Sequence, residues 1–281
     1  MAKAKAKKQL KGKQQKRSFP WLWVTIGVFI PVFVAAFCFM ASSHNLVTPA
    51  NPKDTRAAIV DQLYTSYPNE DFTTEVTKEL EGYGFEVDLY QGNNVTVDFY
   101  RNLPSKGYRL IVLRAHSGAV RASSQYVGSI IGTYLFTNEP YSTIKYPKEQ
   151  WNNELARARV TESSPDLFAI GAKFISNSME GNFNNTVIII DGCSCLYNDD
   201  LAQAFAQKGA SAYLAWDATV DLDYVDRATA CVVKQLCKKD ATVSKAVMNT
   251  MAVVGADLKY GAVLRYYPLE NGGKTLKELI Q

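Results

Sequence analysis

The runs LIVL at residues 110–113 and VIII at residues 187–190 are apolar at every position. A strand with one face in water alternates apolar with polar residues, so an unbroken β-branched run needs cover on both faces. That is the condition of a parallel sheet with helices above and below it. The surrounding rhythm agrees. AAIVDQL at 57–63 reads as a first strand, and Phe72, Val76 and Leu80 recur at helical spacing before Gly82 and Gly84. Phe85, Val87 and Leu89 alternate as in a strand, and a short helical piece with Phe99 and Leu103 stops at Pro104. After the second run, Asp199 or Asp200 is placed to cap a helix with Leu201, Ala204 and Phe205 inward, Gly209 ends it, and AYLAW at 212–216 is the next strand. Helices over about 221–237 and around Val243, Val247, Met251 and Val254 follow, and AVLRYY at 262–267 suits an edge strand. The expected fold class is α/β with a mostly parallel sheet. Residues 122–185, rich in Tyr, Ser, Thr and Asn with one apolar piece at 168–170, break the rhythm and read as an insertion.

The other constraint lies at the N-terminus. Eight of the 31 Lys and Arg fall within residues 1–17, where there is no acid, so the remainder has fewer bases than its 27 acids. A mildly acidic body offers no surface that tracks phosphates, and nucleic acid is not an expected partner. No Asp, Glu, Lys or Arg stands between Arg17 and Lys53, and the 21 residues from Trp21 to Ala41 are long enough to span a bilayer. Trp21 and Trp23 suit the interface, the apolar run exceeds that of a cleaved signal peptide, and bases on the N-terminal flank place that flank in the cytoplasm. Phe37 stands where a lipoprotein would need a small residue, so Cys38 reads as membrane packing. The expected organisation is a basic cytoplasmic tail at 1–20, a transmembrane signal anchor at 21–41, a tether at 42–54 and an extracytoplasmic α/β domain at 55–281.

Chemistry concentrates where the two apolar runs stop. In a parallel sheet the C-terminal strand ends share one rim, and there His116 and Cys193 stand two or three residues beyond their strands. Were the strands neighbours, an imidazole would meet a thiol, the base that a weak thiol nucleophile requires. The chain has only one other histidine, His44, and it lies in the tether. The motif His116-Ser117-Gly118 after one strand, with Asp191-Gly192-Cys193 after another, resembles the caspase, metacaspase, gingipain and clostripain group of cysteine peptidases (clan CD); the strand GASAYLAWDATV at 209–220 is similar to the gingipain-like members.

That resemblance implies a caspase-like three-layer α/β/α sandwich, with Cys193 as nucleophile and His116 as general base and acid. It also implies an oxyanion site at the N–H groups of Gly118 and Cys193. Asp191, two residues before the cysteine, takes the place of the specificity-pocket residue that is acidic where Arg or Lys is cleaved, and strand alternation puts its side chain on the face of Cys193. Trp216 and Asp217 are further substrate-binding candidates on the same rim. The sequence departs from the family at Cys195, where Ser or Gly is usual, and throughout 122–185. The implied activity is a membrane-anchored cysteine endopeptidase acting on peptide or protein substrates after Arg or Lys, without cofactor or metal. A catalytically silent binding or sensor domain and a thiol-dependent acyl transferase are the alternatives.

The remaining cysteines admit other roles. Four thiols can close a zinc site, but Cys231 and Cys237, six apart on an expected helix, lie about 120° from each other around its axis. A disulfide from Cys195 to Cys231 or Cys237 is possible outside the cytoplasm. Asn94 and Asn184 head glycosylation tripeptides.

Overall fold

In the computed structural model, which describes residues 55–121 and 130–281, the two apolar runs are adjacent strands. β1 (Arg56–Asp61), β2 (Glu86–Gln91), β3 (Leu110–Arg114), β8 (Thr186–Asp191), β9 (Ala210–Trp216) and β10 (Leu264–Tyr267) form one sheet in the order β10-β9-β8-β3-β1-β2. All pairs are parallel except β9 with β10, which run antiparallel at the edge as expected from AVLRYY. β3 and β8 are buried at every position, which is why they tolerate no alternation. β2, at the other edge, is only partly covered, and Phe85 packs from just before it.

Two cores flank the sheet. Ala57, Ile59, Leu110, Val112, Val187, Ile189 and Leu214 point to one face, under α1 (Glu70–Tyr83), α6 (Leu222–Leu236), α7 (Val243–Val254) and α8 (Leu276–Leu279). Ala58, Val60, Ile111, Leu113, Ile188 and Ile190 point to the other, against α2 (Val97–Arg101), α4 (Ala172–Asn177) and α5 (Asp200–Gln207). The described residues thus build a three-layer α/β/α arrangement. α1 starts where Asn69 accepts the Phe72 N–H and ends at Gly84 in the left-handed region, as the glycine implied. Asp199 occupies the N-cap position of α5 but makes no side-chain cap bond, and Asp200 instead accepts the Thr133 N–H at 3.0 Å.

The segment read as an insertion is itself ordered into strands. β4 (Ser117–Arg121), β5 (Ile130–Pro140), β7 (Leu167–Gly171) and β6 (Leu155–Ala158) form a second, antiparallel sheet in that order, with the single turn α3 (Pro147–Trp151) between β5 and β6. It begins one residue after His116, five residues earlier than the composition suggested. Residues 1–54, including the span at 21–41, its cytoplasmic tail and the tether, lie outside the described residues, among which no helix is long and apolar enough to cross a membrane.

Candidate active site

Three neighbouring strands end in register as Asp61, Arg114 and Asp191. In-register residues of a parallel sheet share a face, so the three side chains stand in a row beneath the N-terminal half of α6. From α6 comes Asp226. Arg114 donates from Nε to Asp226 Oδ1 at 2.7 Å, from Nη2 to Asp226 Oδ2 at 2.8 Å, and from Nη1 to Asp61 Oδ1 at 2.8 Å. Its Nη2 also reaches the Tyr67 carbonyl at 3.0 Å, and its guanidinium lies 5.6 Å from the centre of the Phe72 ring. Both ion pairs are sealed from water, which makes each partner hard to remove singly.

Asp191 is the surplus acid. It is fully buried, and neither of its oxygens has a hydrogen-bond partner among the described residues. Burial first, then repulsion from Asp226, pushes its pKa well above the ordinary carboxylate range, while Arg114 pulls the other way. Three carboxyls therefore face one guanidinium, and burial favours the protonated form of the third.

Above this row the chain leaves the sheet on both strands. His116 is pinned by its backbone: its N–H donates to Gln62 Oε1 at 2.9 Å, and its carbonyl accepts from Phe136 N at 2.9 Å. The ring sits edge-on to Tyr67, with centroids 5.7 Å apart, and tilted against Phe136 at 5.9 Å. Its Nε2 is buried without a partner among the described residues, and burial, with Arg114 nearby, lowers its pKa below that of free histidine.

Cys193 follows a turn that only glycine permits at 192, because a Cβ there would stand 2.6 Å from the Ala115 carbonyl oxygen. The turn is stitched in place. Ser117 Oγ donates to the Cys193 carbonyl at 2.6 Å, Ser194 N to Ala218 O at 2.9 Å, and Leu196 N to Trp216 O at 2.9 Å. Ser194 itself takes a left-handed φ of 55°. The Cys193 thiol is half-buried, points its S–H toward the Val220 carbonyl at 3.8 Å, and has its pKa raised chiefly by burial, with Asp191 and Asp257 adding to it.

His116 and Cys193 line one cavity of about 250 Å³, together with Asp191, Tyr67, Asp221 and Lys259. The adjacent-strand reasoning from sequence thus places thiol and imidazole on the walls of the same hollow, with Asp191 at its floor. The outer wall is a loop held by Asp257, whose carboxylate accepts N–H groups from Asp221, Lys259 and Tyr260. Although burial opposes them, these bonds keep its pKa below the ordinary value. Lys259 Nζ reaches Asp221 at 3.4 Å across the mouth.

The structure does not bring the other candidates to this cavity. Trp216 is fully buried under α6, edge-on to Tyr224 with ring centroids 5.3 Å apart. Asp217 accepts the Val263 N–H at 2.9 Å and the Arg265 Nε–H at 3.0 Å, so it fastens β9 to β10. Gly118 lies in β4 opposite Tyr134, two residues beyond the cavity residue His116. The Cys193 N–H, in contrast, has no acceptor among the described residues.

Cys195, the residue that departs from the family pattern, is fully buried in the core on the α5 face with its pKa driven up by burial. Cys237 packs on the opposite face of the sheet. The sheet between them rules out the Cys195–Cys237 disulfide, and all four described cysteines are free thiols. No group of three or more His, Cys, Asp or Glu side chains comes together to hold a metal among the described residues. Asn94 and Asn184 are both exposed.

Sequence reasoning missed Gln62, Ser117, Arg114, Asp61, Asp226 and Asp257. Asp61 and Arg114, like Asp191, each stand as a charge at the end of an apolar run, a position that marks the rim but not an inward side chain. Asp226 carries no such mark, because its partner is 112 residues away.

No protein-family model and no curated protein matches the chain. Among solved structures it is similar to the Arg-specific cysteine proteinase gingipain R, at 14% identity over 73% of this chain and 43% of that one, with a TM-score of 0.43. It is also similar to the complex of Porphyromonas gingivalis RgpB pro- and mature domains, at 15% identity over 80% of this chain and 45% of that one, with a TM-score of 0.40. The chain spans less than half the length of these two solved structures.

Proposed function

We propose that the domain is a cysteine endopeptidase in which Cys193 attacks a peptide carbonyl and His116 manages the proton. The observation that carries this reading is the shared cavity: a half-buried thiol and a buried, unpartnered imidazole nitrogen on its walls, at the ends of adjacent parallel strands. Burial lifts the thiol pKa and lowers the imidazole pKa, and both shifts favour a neutral resting pair. Such a pair reacts by general-base catalysis. Sγ forms its bond to the carbonyl carbon as His116 takes the S–H proton, and the uncommitted Cys193 N–H is in place to receive the oxyanion. His116 then gives the proton to the leaving amine as the C–N bond breaks, and water hydrolyses the thioester.

Cleavage after Arg or Lys belongs to the same proposal. What supports it is the imbalance at the floor, where Asp191 is an acid beside an already satisfied Arg114. A substrate cation entering the cavity supplies the missing positive charge and lets Asp191 ionise. The membrane anchor at 21–41 with an extracytoplasmic domain completes the proposal, on the strength of the run's length and the one-sided charge around it. Protease added to intact cells should remove the domain and spare the basic tail; a domain protected until lysis would reverse that orientation.

A silent binding domain is the second reading, favoured by the Cys193 S–H pointing to Val220 O and not to an imidazole nitrogen. One experiment separates the two. The full chain is treated with a peptidyl-Arg acyloxymethyl ketone and the modified residue is mapped: an adduct on Cys193 is expected of the peptidase, and a folded protein that never labels is the silent module.

A further inference from the structure

A second and larger cleft, of about 530 Å³, is also lined by His116. It shares Tyr67 and His116 with the first cavity but does not include Cys193. One wall is Gln62, whose side chain both accepts the His116 N–H and donates to Asn138 Oδ1 at 2.6 Å. The other comes from the second sheet: Pro140 at the end of β5, Val160 and Thr161 in the β6–β7 connection, and Leu167 opening β7. Among the described residues, not one Asp, Glu, Lys or Arg lines it.

We infer that this cleft receives the leaving-group side of the substrate, the one or two residues after the scissile bond, and that it selects uncharged side chains there. The inference rests on the reading of Cys193 as nucleophile and His116 as acid, and it follows from their order in space. The acyl part of the substrate ends on Sγ and stays in the acidic cavity. The nitrogen that departs takes its proton from His116, so the chain attached to that nitrogen runs along the imidazole into the space that it lines apart from the thiol. That space is this cleft. A charged side chain would give up its hydration there with no countercharge among the lining residues, whereas the hydroxyl and amide groups and the Val160, Pro140 and Leu167 surfaces suit neutral ones. The segment at 122–185 then has a use: it builds half of a specificity cleft that the parallel sheet cannot provide.

The test compares two substrates sharing one acyl-Arg part, an aryl amide with nothing beyond the leaving nitrogen and a peptide continuing with Leu-Ser, on the full chain and on Val160→Arg. Val160 is partly exposed and makes no side-chain hydrogen bond, so the variant should fold. The ratio of peptide to aryl-amide kcat/KM should fall about tenfold or more, and a peptide with Asp after the bond should gain on the Leu peptide. A ratio unchanged within about twofold overturns the inference. If the unmodified chain hydrolyses neither substrate, the catalytic reading has failed on its own, and the cleft is judged by calorimetric titration of the Cys193→Ala chain with H-Leu-Ser-amide. Binding weakened about tenfold by Val160→Arg supports the cleft; no binding, or equal binding, overturns it.

Discussion

The two sheets of this domain divide the work differently. The parallel sheet ends its strands in chemistry: Asp61, Arg114 and Asp191 in one row, with His116 and Cys193 just beyond. The antiparallel sheet holds none of those groups. It supplies contact instead, through Phe136 against the imidazole, Thr133 against the turn after Cys193, and the outer cleft wall. The difference is one of constraint. A strand buried on both faces can present polar side chains only at its end, so reactive groups collect on one rim. The antiparallel sheet lends its strand ends and connections, Pro140 and Leu167 with Val160 and Thr161, to the wall of a cleft.

The sharpest way to break this contrast is at the rim. Cys193→Ala and His116→Ala should each lower kcat/KM by about 10³-fold or more, while Cys195→Ser keeps most of the activity, its thiol being sealed in the core. If Cys195→Ser is the inactive variant, the rim has been assigned to the wrong sulfur. The pH profile adds a check. Loss of activity at low pH reports protonation of His116; burial lowers that pKa, so the acid limb should lie below pH 6.5, the value of an unperturbed imidazole.

Below the rim, Arg114→Met should destabilise the fold by about 3–5 kcal/mol, because it strands the carboxylates of Asp61 and Asp226 in a dry site. Denaturant melts measure it. The loss should shrink in Arg114→Met with Asp226→Leu, since removing both partners leaves fewer orphaned charges than removing one. An Arg114→Met protein as stable as the parent would mean that the row of acids is not held by the guanidinium.

Asp191→Asn sits between chemistry and scaffold. As the floor of a basic-specificity pocket it should cost about 10- to 100-fold in kcat/KM on Arg or Lys substrates, the worth of a charge-assisted pair with water excluded. Its stability effect has the opposite sign. Because the folded-state pKa is raised, the native protein retains a proton that the unfolded chain gives up, so native stability is full at pH values below the unfolded pKa near 4 and declines as pH rises toward the folded one. Asparagine does not titrate, and the variant should therefore gain in Tm relative to the parent as pH rises above about 4. A well-folded variant with its preference for Arg intact removes the support for basic specificity.

How far the sequence speaks also differs between the sheets. LIVL and VIII announce their burial, and two apolar runs of that kind in a parallel arrangement bring His116 and Cys193 to one rim without any knowledge of side-chain contacts. β4 to β7 announce little. β5 carries Gly132, Thr133, Thr137 and Asn138, its pairing with both neighbours is interrupted by register shifts, and β6 is four residues long. Only β7, LFAIG and buried almost throughout, carries an apolar run, and its short length gives no sign of the three strands that share its sheet. The inward role of Arg114 was equally hidden, since an arginine closing an apolar run reads as a solvent-facing end until Asp226 arrives from α6.

The smallest predicted effect tests whether the antiparallel sheet merely touches the nucleophile turn or holds it. Thr133 is fully buried in β5; its Oγ1 donates to the Ser194 carbonyl at 3.2 Å, while its backbone N–H is engaged separately by Asp200. Valine has nearly the same shape, so Thr133→Val removes the hydroxyl bond and leaves the rest of the contact in place. One neutral hydrogen bond contributes about 1 kcal/mol, so the melt should shift by about that much. Ser194 adjoins Cys193 and adopts a left-handed φ, and a looser turn there should change the rate of Cys193 alkylation by iodoacetamide by a few-fold, about what 1 kcal/mol allows. If the melt shifts and alkylation does not, the second sheet stabilises the domain but leaves the thiol to the parallel rim, and the division of work drawn above is complete. If alkylation shifts by more than about tenfold, β5 belongs to the catalytic apparatus as a positioning element, and the contrast between the two sheets must be redrawn at Thr133.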